Sequence, residues 1–148
     1  DLLGQLDVVV ASVHSLLRMP APEMTARMVT AIRNPHVDVL GHCTGRRLIG
    51  RSRPESAFDP GAVFAACRDH GVAVEINCRP DRQDPPDRLL ALAAGTGCLF
   101  AIDSDAHAPG QLDWVGDGCA RAEGFGIEPG RIINTRAARE LTSAGRPG

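Results

Sequence analysis

The chain contains no lysine; all 16 of its basic residues are arginine. Arginine's planar fork donates two hydrogen bonds at once, which suits phosphate clamps. A GC-rich coding bias, which also fits the abundant Ala, Gly and Pro, is the plainer explanation of the same choice. Neither charge is in excess: 16 basic against 18 acidic residues leave a net charge of −2. That excludes a surface that attracts nucleic acid everywhere. No apolar run approaches the about 18 residues needed to cross a bilayer, so no membrane partner is expected. The five cysteines (Cys43, Cys67, Cys78, Cys98, Cys119) include no Cys-x-x-Cys pair. An odd, widely spaced set argues against a disulfide framework and a zinc ribbon, and for a reducing compartment such as the cytoplasm. Most of them are expected to be small core residues. No methionine and no signal-peptide pattern opens the chain, so a piece of a longer gene product is expected. Linkers and low-complexity blocks are also missing, and 148 residues suffice for one domain and not two.

What is present is a repeated strand–helix unit. Residues 7–13, DVVVASV, form a nearly continuous apolar, β-branched run, as in a parallel strand covered on both faces. From Glu23 to Arg33, Met24, Met28 and Ile32 recur at i, i+4 and i+8, a helical stripe. HVDVLG (36–41) predicts a second strand. Asp59-Pro60 supplies an N-cap and a first-turn proline for a helix to His70, which Gly71 stops. VAVEIN (72–77) predicts a strand, RPDRQDPPD a loop, and residues 87–94 a helix closed by Gly95. CLFAID (98–103) predicts another strand, followed by an irregular helix between Gln111 and Gly126. A short strand at 131–133 and a helix over 135–143 complete the pattern, with 144–148 a frayed tail. Such alternation means α/β. Four or five units are too few for an eight-stranded barrel, leaving an open sheet or part of a barrel.

The polar residues fall at strand ends. The four strands run into His14-Ser15, His42, Asn77, and Asp105 with His107. In α/β sheets and barrels the carboxyl ends of the strands share one face, where ligands bind. Imidazole and carboxylate are the donors that zinc, manganese or iron take. In an extended segment, residues at i and i+2 point the same way, so Asp105 and His107 can reach one metal, or two neighbouring ones. Asp103 shares their side and is a candidate for orienting a ligand. Each residue also has a plainer reading: His14 as a hydrogen-bonded core histidine, His42 as a turn residue, Asp103–His107 as a polar turn. Cys43 is a weaker candidate, since its side chain is expected to point away from that of His42. His36 precedes its strand and His70 ends a helix, so both are expected to be structural.

Taken in order, DVVVASVHS, NPHVDVLGHCTGR, VAVEIN and IDSDAHAPGQL resemble the PHP (polymerase and histidinol phosphatase) domain, most of all the version in bacterial family X DNA polymerases. The likeness runs to IINTRAARELT, across essentially the whole chain. It implies the C-terminal half of a distorted (β/α)7 TIM-like barrel over residues 1–143. It also implies up to three divalent ions, Mn2+ or Zn2+, at the C-terminal rim. On this resemblance His14, His42, Asp105 and His107 match metal ligands, while Glu75 and Asn77 belong to a recurrent motif. Arg46, beside the site in HCTGR, is a candidate phosphate contact, Asn77 a candidate substrate contact, and Asp103 and Glu75 candidate supports for the ligands. Cys43 replaces a proline usual in that loop. The family's H-x-H motif and its early acidic ligands are expected to lie outside this chain.

The implied chemistry is metal-assisted hydrolysis of a phosphoester, with water rather than a side chain as nucleophile. Three functions follow: the 3′–5′ exonuclease part of a family X polymerase acting on a DNA 3′ end beside an upstream polymerase domain; a stand-alone phosphatase for a small phosphomonoester; or a non-catalytic remnant kept as a structural module. The isolated 148 residues are expected to be weakly active or inactive.

Overall fold

A computed structural model describes residues 2–141. Its core is a four-stranded, wholly parallel sheet in the order β1-β2-β3-β4: β1 (Val10–Ala11), β2 (Val39–Leu40), β3 (Ala73–Asn77) and β4 (Phe100–Asp103). Helices α1 (Ala21–Ile32), α2 (Pro60–His70) and α3 (Asp87–Thr96) are the crossovers, and α4 (Val115–Gly124) and α5 (Ala138–Leu141) follow β4. Parallel crossovers are right-handed, so a strand order that never reverses lays all three connecting helices on one side. Helix α1 accordingly packs on α2 and α2 on α3. This is the curvature sense of a partial TIM-like arc. Among the described residues the sheet does not close, and no helix is long and apolar enough to cross a membrane.

The helix side of the sheet holds the main core. Met24, Met28 and Ile32 of α1 are buried as the stripe predicts, against Val63, Phe64 and Cys67 of α2 and Leu89, Leu90 and Ala93 of α3. Leu40, Val74, Ile76, Phe100 and Ile102 meet them from the strands. Four of the five cysteines are buried and only Cys119 is exposed. Asp59 caps α2 by accepting from the Ala62 N–H, and Gly71 ends it in the left-handed region at φ 68°.

Four details depart from expectation. Helix α3 runs past Gly95 and ends at Gly97 (φ 90°), because the Cys98 N–H must bond Ala93 O for Cys98 to enter the core. The first two strands are longer in the sequence than in the ladder. The Asp38 carboxylate takes the Val9 N–H, at 2.7 Å, that a neighbouring carbonyl would otherwise accept. The segment between 111 and 126 opens as a 3-10 helix, Pro109–Trp114, before α4. The strand expected at 131–133 is absent. Two 3-10 turns, Pro129–Arg131 and Ile133–Thr135, flank a single parallel bridge between Phe100 and Ile132. The Asn134 amide replaces the missing ladder, accepting from Ile102 N at 2.8 Å and donating to Ile102 O at 3.1 Å. The last helix is described only at Ala138–Leu141; its expected continuation and the tail at 144–148 lie outside the described residues.

Helix α4 seats Gly118 directly on the sheet. A Cβ there would overlap Cys78 Sγ and lie 2.6 Å from Ile102 Cγ2. Gly118→Ala is therefore expected to destabilise the protein by about 1–3 kcal/mol through overpacking. Urea unfolding of the two proteins measures this; an unchanged midpoint would show that α4 sits away from β3 and β4.

Candidate functional site

The inner face of the sheet changes character along the strands. Strand register pairs Val10 with Val39, Val39 with Ala73, Glu75 with Ala101 and Asn77 with Asp103. With side chains alternating along each strand, the lower layer is apolar (Val39, Ala73 and Ala101, with Leu99 and Ile133). Toward the carboxyl ends the face turns polar, with Glu75 level with Ala101 and then Asn77 and Asp103, while Ser12, His14 and His42 follow the ends of β1 and β2. Gly41 is what lets these ends approach: a Cβ there would lie 2.9 Å from Val10 Cγ1 and 3.5 Å from Glu75 Oε2.

Four of the expected residues come together. The rings of His14 and His42 meet edge to face, with centroids 5.1 Å apart. His14 Nε2 lies 2.7 Å from Ser12 Oγ. Glu75, buried, accepts the backbone N–H of His42 through Oε2, which also lies 3.4 Å from His42 Nδ1. His42 Nε2 is buried with no hydrogen-bond partner, although a buried polar atom ordinarily has one. Burial, with the nearby Glu75 charge adding to it, pushes the Asp103 carboxyl up to about 6.

Asp105 and His107 are held differently. Asp105 stands in the left-handed region at φ 51°, as does His42 at φ 22°; such strain in non-glycine residues gathers at functional sites. Asp105 Oδ2 accepts from Arg82 Nε at 3.1 Å and Asn77 Nδ2 at 3.3 Å, with Arg79 Nε at 3.7 Å. His107 Nδ1 lies 2.8 Å from Asp105 O and 3.1 Å from an Arg79 guanidinium nitrogen, which leaves its Nε2 outward. Arg46 turns from the rim: Nε donates to Arg82 O at 2.8 Å, one terminal nitrogen to Gln83 O, and the other lies 3.6 Å from Glu55. It clamps the loop that carries Arg82. Cys43 points into the core toward Asp84, and burial holds its thiol well above its ordinary pKa, so no thiolate ligand is offered. His36 packs beside Gly4, and His70 is exposed at the end of α2.

Arg79, Arg82 and Asp84 escaped the sequence reading. Their segment, residues 79–84, directly follows the β3 end, and that adjacency to the rim is the signal that would have found them. Asp84 is fully buried and anchors the turn after His42. It accepts from the Thr44 N–H at 3.2 Å and the Thr44 hydroxyl at 2.7 Å.

The donor chemistry fits a divalent cation. Imidazoles and carboxylates crowd one rim, an imidazole nitrogen is orphaned, and a carboxyl is pushed up beside another acid. Among the described residues, however, no three His, Cys, Asp or Glu side chains sit close enough to hold a metal by themselves. Asp105 and His107 are instead paired with Arg82 and Arg79.

Fold and site together define an α/β protein whose parallel strand ends present histidines and carboxylates on one rim. The chain is 33% identical over 141 residues to the DNA polymerase/3′-5′ exonuclease PolX of Bacillus subtilis, which is 95% of this chain and 24% of that protein. It is 30% identical over 145 residues to a probable phosphatase of Vibrio parahaemolyticus, covering 92% of this chain and 55% of the other. A probable phosphatase of a Thermoanaerobacter species is 26% identical over 143 residues, covering 90% and 55%. The chain thus spans about a quarter of the polymerase and about half of each phosphatase. No family model matches it.

Proposed function

We propose that this chain is part of a metal-dependent phosphoesterase of the PHP class, acting as a 3′–5′ exonuclease in a protein that also carries a polymerase domain. The observation that carries this reading is the orphaned, buried Nε2 of His42, set between His14 and Glu75 where four strand ends converge. The likeness to a relative named as both polymerase and 3′-5′ exonuclease supports the diester substrate. The likeness to probable phosphatases supports a second reading, a small phosphomonoester.

His14, His42, Asp105 and His107 would hold Mn2+ or Zn2+, and Asp103 and Glu75 would support them. The ion would polarise a phosphoryl oxygen and lower the pKa of the attacking water. Glu75 fixes the His42 ring so that Nε2 faces the rim. Asn77 steadies the Asp105 carboxylate, and Arg79 and Arg82 place positive charge where a phosphoryl group gains negative charge. Water is the nucleophile in this reading: the Ser15 hydroxyl is held by Arg27, a cation and not a base, and the Ser12 hydroxyl lies 2.7 Å from His14 Nε2, a nitrogen assigned here to the ion.

The test uses the full-length protein, stripped by chelation and reloaded with Mn2+ or Zn2+. A labelled single-stranded oligonucleotide is expected to be shortened from its 3′ end, with less turnover of p-nitrophenyl phosphate. His42→Ala and Asp105→Ala/His107→Ala are expected to lose metal per chain. Chelator-insensitive cleavage, or equal metal content in parent and variants, would sink the assignment. Preference for the monoester would favour the second reading.

A further inference from the structure

We infer that the loop between β2 and α2 carries a phosphate-backbone subsite beside the rim. It would hold a polynucleotide strand upstream of the ester being cut, and it rests on the phosphoesterase reading above. Arg47 and Arg53 exchange both backbone hydrogen bonds, at 2.9 and 3.0 Å, and so close a small antiparallel hairpin over residues 47–53. Beside it lies a groove of about 680 Å3, lined by Arg18, Arg47, Arg51 and Arg53 together with Leu17 and Glu55.

The positive charge of this groove is only partly neutralised: Arg47 pairs with Asp81 at 3.3 Å, an acid outside the lining. Its one acid, Glu55, already pairs with Arg88 and lies 3.6 Å from Arg46. Arg18 and Arg51 are exposed and make no hydrogen bond or ion pair among the described residues. Burial first, then the like charges of Arg82 and Arg47, holds the Arg53 guanidinium below its ordinary pKa. Arg47 Nε is buried with no partner. Arg18 and Arg51 thus add two unpaired positive charges to a groove that already holds Arg53, which favours an anion there.

The groove also adjoins the rim. Arg53 Nε donates to Gly45 O at 2.6 Å, and the Gly45 N–H closes the turn that starts at His42 by bonding His42 O at 2.8 Å. A Cβ on Gly45 would stand 3.1 Å from Leu17, and Leu17 is three residues past His14. A strand whose terminal ester lies at His14 and His42 therefore has its next phosphates over these arginines. A small phosphomonoester has no phosphate to place there. Phosphate contacts of this kind position a strand without reading its bases.

Arg18→Ala/Arg51→Ala in the full-length protein tests the idea, because neither side chain holds the fold. Binding of a fluorescein-labelled 12-nucleotide oligo-dT, measured by anisotropy in EDTA, is expected to weaken about tenfold at 50 mM salt. The log–log salt slope is expected to fall by about 1.4, two contacts at about 0.7 each. With Mn2+ present, kcat/KM should drop for the oligonucleotide and hold for p-nitrophenyl phosphate. Unchanged affinity and slope would overturn the subsite. So would an equal loss on both substrates, or tighter binding of the parent to anionic phospholipid vesicles than to oligo-dT. If the parent hydrolyses neither substrate yet the variant loses the salt-dependent binding, the phosphoesterase reading fails and the subsite stands.

Discussion

Asp84→Ala is expected to lower the unfolding free energy by about 3 kcal/mol, while Asp84→Asn costs about 1 kcal/mol. The Asp84 side chain is fully buried and satisfies two donors of Thr44, the backbone N–H at 3.2 Å and the hydroxyl at 2.7 Å. Alanine strands both donors in the interior, each at about 1–3 kcal/mol, whereas asparagine keeps one acceptor oxygen. The effect reaches the site, because Thr44 is two residues past His42 and shares its turn. Guanidinium unfolding monitored by Trp114 fluorescence measures the two variants. A loss below about 1 kcal/mol for alanine would mean that water satisfies Thr44 and that Asp84 does not anchor the turn.

Glu75→Gln is expected to weaken Mn2+ or Zn2+ binding by about 10–100-fold with the fold retained. The carboxylate both accepts the His42 N–H and stands 3.4 Å from Nδ1, fixing which ring nitrogen faces the rim. Glutamine keeps the shape and removes the charge. It can also turn its amide nitrogen toward the His42 N–H, where a donor meets a donor. Calorimetric titration of the chelator-stripped full-length protein reads the affinity, and circular dichroism checks the fold. Binding within a factor of two of the parent would remove Glu75 from any part in holding His42.

Helices α1 and α2 were the most legible elements. The Met24–Met28–Ile32 stripe, the Asp59-Pro60 start and the Gly71 stop are local signals set by the 3.6-residue period, by capping and by the left-handed region, and the structure realises each of them. The segment at 131–133 was not legible as it stands. Its apolar pair resembles a strand, yet Asn134 supplies the edge hydrogen bonds of Ile102 from a distance of 32 residues in sequence. Nothing near Asn134 announces that partner.

By itself the sequence determined that strands alternate with helices and that His14, His42, Asn77, and Asp105 with His107 follow the strand ends. Parallel strands share one carboxyl end, which places those residues on one rim. Only the tertiary structure decided how each is held. It gave Asp105 to Arg82 and Asn77, and His42 to Glu75. It also sent Arg46 to the 82–83 carbonyls in place of the rim. These partners lie 23 to 37 residues apart, and pairing over such separations depends on strand register and loop packing, which no local pattern encodes. In AIDSDAHAPG the sequence placed two acids and a histidine beside a strand end. The fold added that its acid and histidine share that place with arginines.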